Sequence, residues 1–225
     1  MLHVELADSD GTVVPNGVRN VMSIVTCRSN ILRGARELSK RRPTEALYNY
    51  LGGATGSWRV TDVTTRSGLP LKPVTHIEIV NGSLDQPPPG TSWVLRGVVS
   101  TTRYVMREEP DESKQPALNR TEAACAALIP IRKSRNWWAL AQDERREILE
   151  SRSQHIATEM RFLPAIARRF QHGRDLGEQF DFVTWFEYAP QDSAVFDDLV
   201  SALRATEEWQ YVEREIDIRL VRTAS

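Results

Sequence analysis

The sequence predicts an α+β fold, and the order of elements in its second half carries that prediction. Residues 124–132 form a continuous apolar run of strand length, and residues 141–159 have the length and composition of a helix. Two strand-like runs, 166–171 and 179–188, then precede a second helix and a final strand. This β-α-β-β-α-β order is the ferredoxin-like arrangement, in which the helices cover one face of the sheet.

The first predicted helix, residues 141–159, carries chemical signals at both ends. Asp143 and Glu144 lie in its first turn, where carboxylates suit the positive end of the helix dipole. Pro164 cannot continue a helix and therefore marks the end. His155 falls in the last third, at spacings of three, four and seven residues that place it on one helix face with Arg152, Ser151, Glu159 and Ile148.

The second predicted helix, residues 192–204, is amphipathic, and the final strand, residues 211–221, alternates. The apolar helix face comprises Val195, Phe196, Leu199, Val200 and Leu203. In the strand, Ile216, Ile218 and Leu220 point to one side. Both patterns are typical of elements that pack against a sheet core, and we predict a domain spanning residues 121–225.

Residues 46–120 predict strands with almost no helix. Residues 58–63 and 75–80 alternate as strands, and residues 93–105 make a longer one, with room for only a short helix at 108–115. These elements are too few for a complete domain. We therefore interpret this segment as a truncated ferredoxin-like half whose sheet is completed by the second half.

Residues 1–45 differ in composition from the rest of the chain. The first twenty residues are rich in turn-forming residues, and residues 20–42 are basic, with six Arg or Lys side chains and one acid, Glu37. Acids come early and no cleavage site follows an apolar core, so we see no signal peptide. Two interpretations stay open: a disordered extension, or residues upstream of the start that the cell uses.

The overall composition excludes several classes of function. A net charge of −1 and a pI near 6.5 do not indicate a nucleic-acid partner. The sequence has no run of 18 apolar residues that would predict a membrane span. Two isolated cysteines, Cys27 and Cys125, predict neither a disulfide framework nor a zinc site, and favour a cytoplasmic location.

Two residues of the second half could meet in one cavity. His155 lies on the predicted helix, and Arg168 lies thirteen residues later in the next predicted strand. Taken alone, each has an ordinary interpretation, because helix histidines are usually solvated and strand arginines usually lie at sheet edges.

A longer pattern around these residues resembles the chlorite dismutase family of haem proteins. The resemblance covers about residues 50–225. The residues that carry it are Trp137-Trp138, His155, Arg168-Arg169, His172, residues 174–178, residues 180–187, residues 196–199 and residues 205–209. It implies a haem b cofactor and a dimeric α+β barrel in which the second half is the haem domain. The shortened first half resembles the short, homodimeric branch of the family.

The resemblance also implies roles for individual residues. His155 matches the axial iron ligand, and Glu208 matches the carboxylate that accepts a hydrogen bond from the ligand's other ring nitrogen. Arg168 matches the distal arginine that holds a small oxyanion, and Gln115 matches the glutamine that positions this arginine. Arg169 should point to the opposite face, as strand alternation requires.

Two aromatic residues are further candidates. Tyr104 and Trp137 match residues near the haem propionates, through a hydroxyl and an indole N–H respectively. An interpretation as core or interface aromatics stays open for both. Trp138 is expected in packing or at the subunit contact.

The activity that the resemblance implies is decomposition of chlorite to chloride and dioxygen, which would serve detoxification. Coproheme decarboxylase is a rival within the family, but its redox tyrosine is matched here by Ile129, which cannot give up a proton and an electron. A haem peroxidase is less favoured because no distal histidine or acid is evident that could move peroxide protons. A non-catalytic haem-binding or haem-sensing protein also stays open, since one fold hosts several functions.

Overall fold

The computed structural model describes residues 47–99 and 116–223. It contains eight strands: β1 (Leu47–Gly53), β2 (Trp58–Ser67), β3 (His76–Asn81), β4 (Thr91–Val99), β5 (Cys125–Lys133), β6 (Ala167–His172), β7 (Phe182–Tyr188) and β8 (Val212–Arg222). Its α-helices are α1 (Arg135–Ala139), α2 (Gln142–Arg146), α3 (His155–Met160) and α4 (Ser193–Arg204). Within this part of the chain, no helix is long and apolar enough to cross a membrane.

The eight strands close into one barrel in the order β1-β3-β2-β8-β5-β7-β6-β4. The first-half strands thus lie together, and so do those of the second half. The pairs β2–β8 and β4–β6 join the two sets, and both are antiparallel. The first half therefore completes its sheet against the second, as its shortage of elements predicts. The predicted division of the chain at residue 121 stays a prediction.

The barrel has an apolar interior and a second apolar layer outside it. The interior holds Tyr50, Trp58 and Trp185, with the Trp58 and Trp185 rings in edge-to-face contact at 5.1 Å. Ile216, Ile218 and Leu220 of β8 also face inward, as their alternation predicts. Outside the barrel, α4 covers β5 and β7, and four of its five predicted apolar residues are buried: Phe196, Leu199, Val200 and Leu203.

Phe196 is a buried residue of this outer layer, and its ring contacts two other aromatic rings. It is 0% exposed and stacks on Tyr188 with ring centroids 4.6 Å apart. Phe196→Ala is expected to lower the free energy of unfolding by about 3–5 kcal/mol, because a cavity remains where the ring was. Denaturant titration measures this loss. Leu69→Ala, at a side chain that is 75% exposed, should change it by less than about 0.5 kcal/mol.

The first helical region departs from the predicted continuous helix 141–159. Helix α2 starts at Gln142, one residue after the predicted start, but a π-helical segment, Glu147–Arg152, follows it. The helix is then interrupted at Gln154, whose φ of 48° is left-handed, and the new helix α3 begins at His155. A left-handed residue cannot belong to a right-handed helix, so the continuous helix is wrong. His155 is consequently the first residue of a short helix instead of an interior one.

Strand β1 is absent from the strands that the sequence predicts. It ends in two glycines, Gly52 and Gly53, a residue type that usually weakens a strand. Gly52 lies against the Trp93 ring so closely that a side chain would not fit. The glycine therefore serves close strand packing. The end of the predicted strand 93–105 and the predicted helix 108–115 lie outside the described residues.

Candidate active site

His155 and Glu208 lie in contact although 53 residues separate them in sequence. His155 opens α3, and Glu208 lies in a 3-10 turn, Glu207–Tyr211, between α4 and β8. The Nδ1 atom of His155 lies 2.7 Å from Oε2 of Glu208, and Glu208 is only 5% exposed. The structure thus brings these two predicted residues together, and Nε2 is the ring nitrogen that Glu208 leaves unengaged.

Lys133, which the sequence reasoning missed, holds the other side of Glu208. Its Nζ donates to Oε1 of Glu208 at 2.7 Å and to the backbone oxygen of Glu208 at 3.1 Å. The lysine side chain is fully buried. It ends β5 two residues after Ile131, on the strand face that the helices cover. A lysine on the buried face of an otherwise apolar strand was the available signal.

The backbone of Glu208 is also fixed. Its N–H donates to Oγ of Ser153 at 3.0 Å, and Ser153 is buried just before the left-handed Gln154. The helix interruption at Gln154, which follows the π-helical segment, therefore places Ser153 where it can bind Glu208. The same break starts the helix that presents His155.

The charges of this cluster support one another. Burial alone would raise the pKa of Glu208. The charges of His155 and Lys133 together outweigh this effect and lower the pKa to about 2. Burial lowers the pKa of His155, whereas Glu208 and Glu159 raise it to about 10. Burial also lowers the pKa of Lys133, partly offset by Glu208. Glu208 is therefore an anion at any physiological pH.

Glu159 is a second buried carboxylate, on the far side of the imidazole. Its Oε1 lies 3.4 Å from Nε2 of His155, and its Oε2 lies 2.7 Å from Nη2 of Arg168. Burial alone would raise the pKa of Glu159. The charges of Arg168 and His155 together outweigh this effect, so the pKa lies below its usual value. The i,i+4 spacing to His155 places it on the same helix face, as predicted, although that spacing suggested no role for it.

Arg168 and Arg169 point to opposite faces of β6, as strand alternation predicts. Arg168 faces the helices and reaches Glu159, whereas the Arg169 guanidinium lies 3.7 Å from the centroid of the Tyr48 ring. Arg168 is 24% exposed and His155 is 20% exposed. The cluster is thus buried at its base and open to solvent at the imidazole and the guanidinium.

The two tryptophans of the predicted pattern differ in their surroundings. Trp137 is 1% exposed, and its Nε1 has no hydrogen-bond partner among the described residues. Trp138 donates from Nε1 to Asp181 at 3.2 Å and stacks on Phe182, which agrees with a packing role. Tyr104 and Gln115 lie outside the described residues.

Comparison with known proteins assigns the chain to a family. The family model described as chlorite dismutase matches residues 89–223, which is more than half of the chain. This protein belongs to the chlorite dismutase family. A curated chlorite dismutase from Ideonella dechloratans is 26% identical over 121 residues. That match takes in 52% of this chain and 40% of the relative, so the chain spans less than half of that protein's length.

Solved structures of chlorite dismutases show the same fold. A dimeric chlorite dismutase from Nitrobacter winogradskyi is 52% identical, with a TM-score of 0.72, covering 78% of this chain and 99% of that one. The chlorite dismutase from Candidatus Nitrospira defluvii is 17% identical, with a TM-score of 0.56, covering 83% of this chain and 94% of that one. At that identity, the second likeness concerns the fold alone.

Proposed function

We propose that this protein is a haem b enzyme that decomposes chlorite to chloride and dioxygen. In this proposal His155 is the axial iron ligand and Arg168 binds the oxyanion. The observation that carries the proposal is the pairing of His155 Nδ1 with Glu208 at 2.7 Å, next to a partly exposed arginine. A histidine that ligates a metal almost always has its other nitrogen hydrogen-bonded in this way.

The residues present fit haem in two respects. The imidazole has one nitrogen engaged by Glu208, so Nε2 is the atom that would hold iron. The buried indole N–H of Trp137, which has no partner among the described residues, would suit a propionate oxygen. One movement is required, because Glu159 now lies 3.4 Å from Nε2.

The proposal gives each polar residue of the site a separate role. Lys133 and Ser153 fix Glu208, and Glu208 orients the imidazole and makes it a stronger electron donor. Arg168 stays cationic at any working pH, so it attracts chlorite and holds the chlorine-containing anion beside the site. When bound, the haem iron supplies the redox chemistry by which chlorite gives up its oxygen.

The finer architecture is also part of the proposal. The strand orders β8-β5-β7-β6 and β4-β1-β3-β2 support two ferredoxin-like halves, the first without helices in its described part. The Nitrobacter winogradskyi relative is described as dimeric, and its identity of 52% supports a homodimer here. A cytoplasmic location, and the first 45 residues as an extension of the folded part, remain predictions.

Glu208→Gln tests the role of the carboxylate beside the ligand. The change keeps the size of the side chain but removes its charge, so His155 should become a weaker donor. We expect the haem reduction potential to rise by about 60 mV or more. For a one-electron couple, this rise corresponds to a tenfold change in the equilibrium constant. Spectroelectrochemical titration measures the potential. Glu207→Gln, at the neighbouring glutamate that pairs with Arg152, should leave it unchanged.

Oxygen release from chlorite tests the activity itself. The protein is loaded with haem b, chlorite is added, and dioxygen is followed with an oxygen electrode. Fast, haem-dependent release is expected. A well-formed haem protein that releases no dioxygen would contradict the proposed reaction while leaving haem binding in place.

A haem peroxidase is the second candidate, and Glu159 is the observation that favours it. The sequence indicated no acid beside Arg168, whereas the structure places this carboxylate 2.7 Å from the guanidinium. If this carboxylate stays beside the guanidinium once haem is bound, the pair could move the protons of a peroxide. Hydrogen peroxide with an oxidisable phenol, added to the same haem-loaded protein, distinguishes the two activities. Coproheme decarboxylase remains disfavoured, because Ile129 offers only a buried alkyl side chain.

A further inference from the structure

Glu159 lies between the two side chains that the proposed function places at the iron. One carboxylate oxygen lies 3.4 Å from Nε2 of His155, and the other lies 2.7 Å from Nη2 of Arg168. Since Nδ1 of His155 already pairs with Glu208 at 2.7 Å, Nε2 is the ring nitrogen left for a metal. One carboxylate therefore contacts both the prospective ligand atom and the prospective anion-binding group.

This bridge and a bound haem compete for the same atoms. A metal on Nε2 needs the space next to that nitrogen, and Glu159 now fills it. An oxyanion on Arg168 needs access to the guanidinium, whose Nη2 lies 2.7 Å from Oε2 of Glu159. The carboxylate must therefore leave both partners before they can act as proposed, and the free energy of the lost contacts weakens haem binding.

The local structure allows such a movement without disturbing the barrel. Helix α3, which carries His155 and Glu159, has six residues. It is preceded by the left-handed Gln154 and followed by turns at residues 161–165. Neither boundary is held inside a strand. The Glu159 side chain is 9% exposed, and its two partners are 20% and 24% exposed, so solvent lies close by.

We propose that Glu159 is an internal counter-ion that haem displaces. In the haem-free chain it holds His155 and Arg168 together, and on haem binding it leaves both, so that it sets the haem affinity. This inference rests on the proposed function, because it takes His155 as the iron ligand. It adds a residue that governs loading of the site.

Haem titration of the full chain, prepared without haem, tests the proposal. Glu159→Gln keeps the side-chain volume and removes the charge, and Glu159→Ala removes the carboxylate entirely. Both variants should bind haem b about tenfold more tightly or better than the unaltered protein, as measured by the Soret absorbance. Their haem-free forms should melt at a lower temperature, while their haem-loaded forms should keep the melting temperature of the unaltered protein. Glu147→Gln, at a glutamate that is 62% exposed, is the matched control and should change neither quantity.

Each outcome bears on a different claim. Equal loss of melting temperature in both forms, with unchanged haem affinity, would overturn the proposal and make Glu159 a fixed structural ion-pair partner. Weaker haem binding in the variants would overturn it as well, since Glu159 would then help to hold the cofactor. If the unaltered protein binds no haem, the proposed function itself falls, and this inference falls with it.

Discussion

His155→Ala is expected to abolish stable haem binding. Its imidazole is held by two buried carboxylates, with Nδ1 2.7 Å from Glu208 and Nε2 3.4 Å from Glu159. Changes to residues that merely orient a metal ligand cost about 10- to 100-fold in affinity, so loss of the ligand itself should cost at least about 100-fold. Soret titration with haem b measures the effect, and the variant should show weak, heterogeneous absorbance.

The matched control for this change is His76→Ala. His76 lies on β3, in the other half of the barrel, and its Nδ1 lies 3.0 Å from Oγ1 of Thr75. This variant should bind haem as tightly as the unaltered protein. A normal haem spectrum with His155→Ala would refute the ligand assignment, and in that case Glu208 would have no ligand to orient.

The fold was predictable where the hydrophobic pattern is regular. Helix α4 and strand β8 each bury the residues that their periodicity marks, because one apolar face must pack against a core. The break at Gln154 was not predictable in this way. A left-handed glutamine carries no pattern of its own, and its conformation depends on the contacts that Ser153 and His155 make on either side.

The site was predictable only in part, for a related reason. The resemblance supplied His155, Arg168 and Glu208, but Lys133 and Glu159 emerged only from the structure. Lys133 and Glu208 are 75 residues apart, and nothing local in either segment indicates that the two side chains pair. A buried ion pair of this kind is set by tertiary packing, which one sequence does not show.

Arg168→Ala is expected to keep haem and lose turnover. Glu159 lies between the guanidinium and Nε2 of His155, and the guanidinium is partly exposed, so an incoming oxyanion can reach it. Loss of one charged donor at a developing anion costs about 10²- to 10³-fold in rate. We therefore expect the rate of dioxygen release from chlorite to fall by about 100-fold or more, with faster bleaching of the haem because the reactive anion escapes.

Two further variants make this result specific. Arg168→Lys keeps the charge but loses the planar set of donors, so its rate should fall between those of the unaltered protein and the alanine variant. Arg169→Ala changes the next residue, whose guanidinium packs on Tyr48 inside the barrel. It should lower the melting temperature yet leave the rate per haem unchanged, because alternation turns its side chain away from the site. Undiminished oxygen release with Arg168→Ala would remove this arginine from the proposed mechanism, and the anion would then have to be held by a group outside the His155–Glu159–Arg168 cluster.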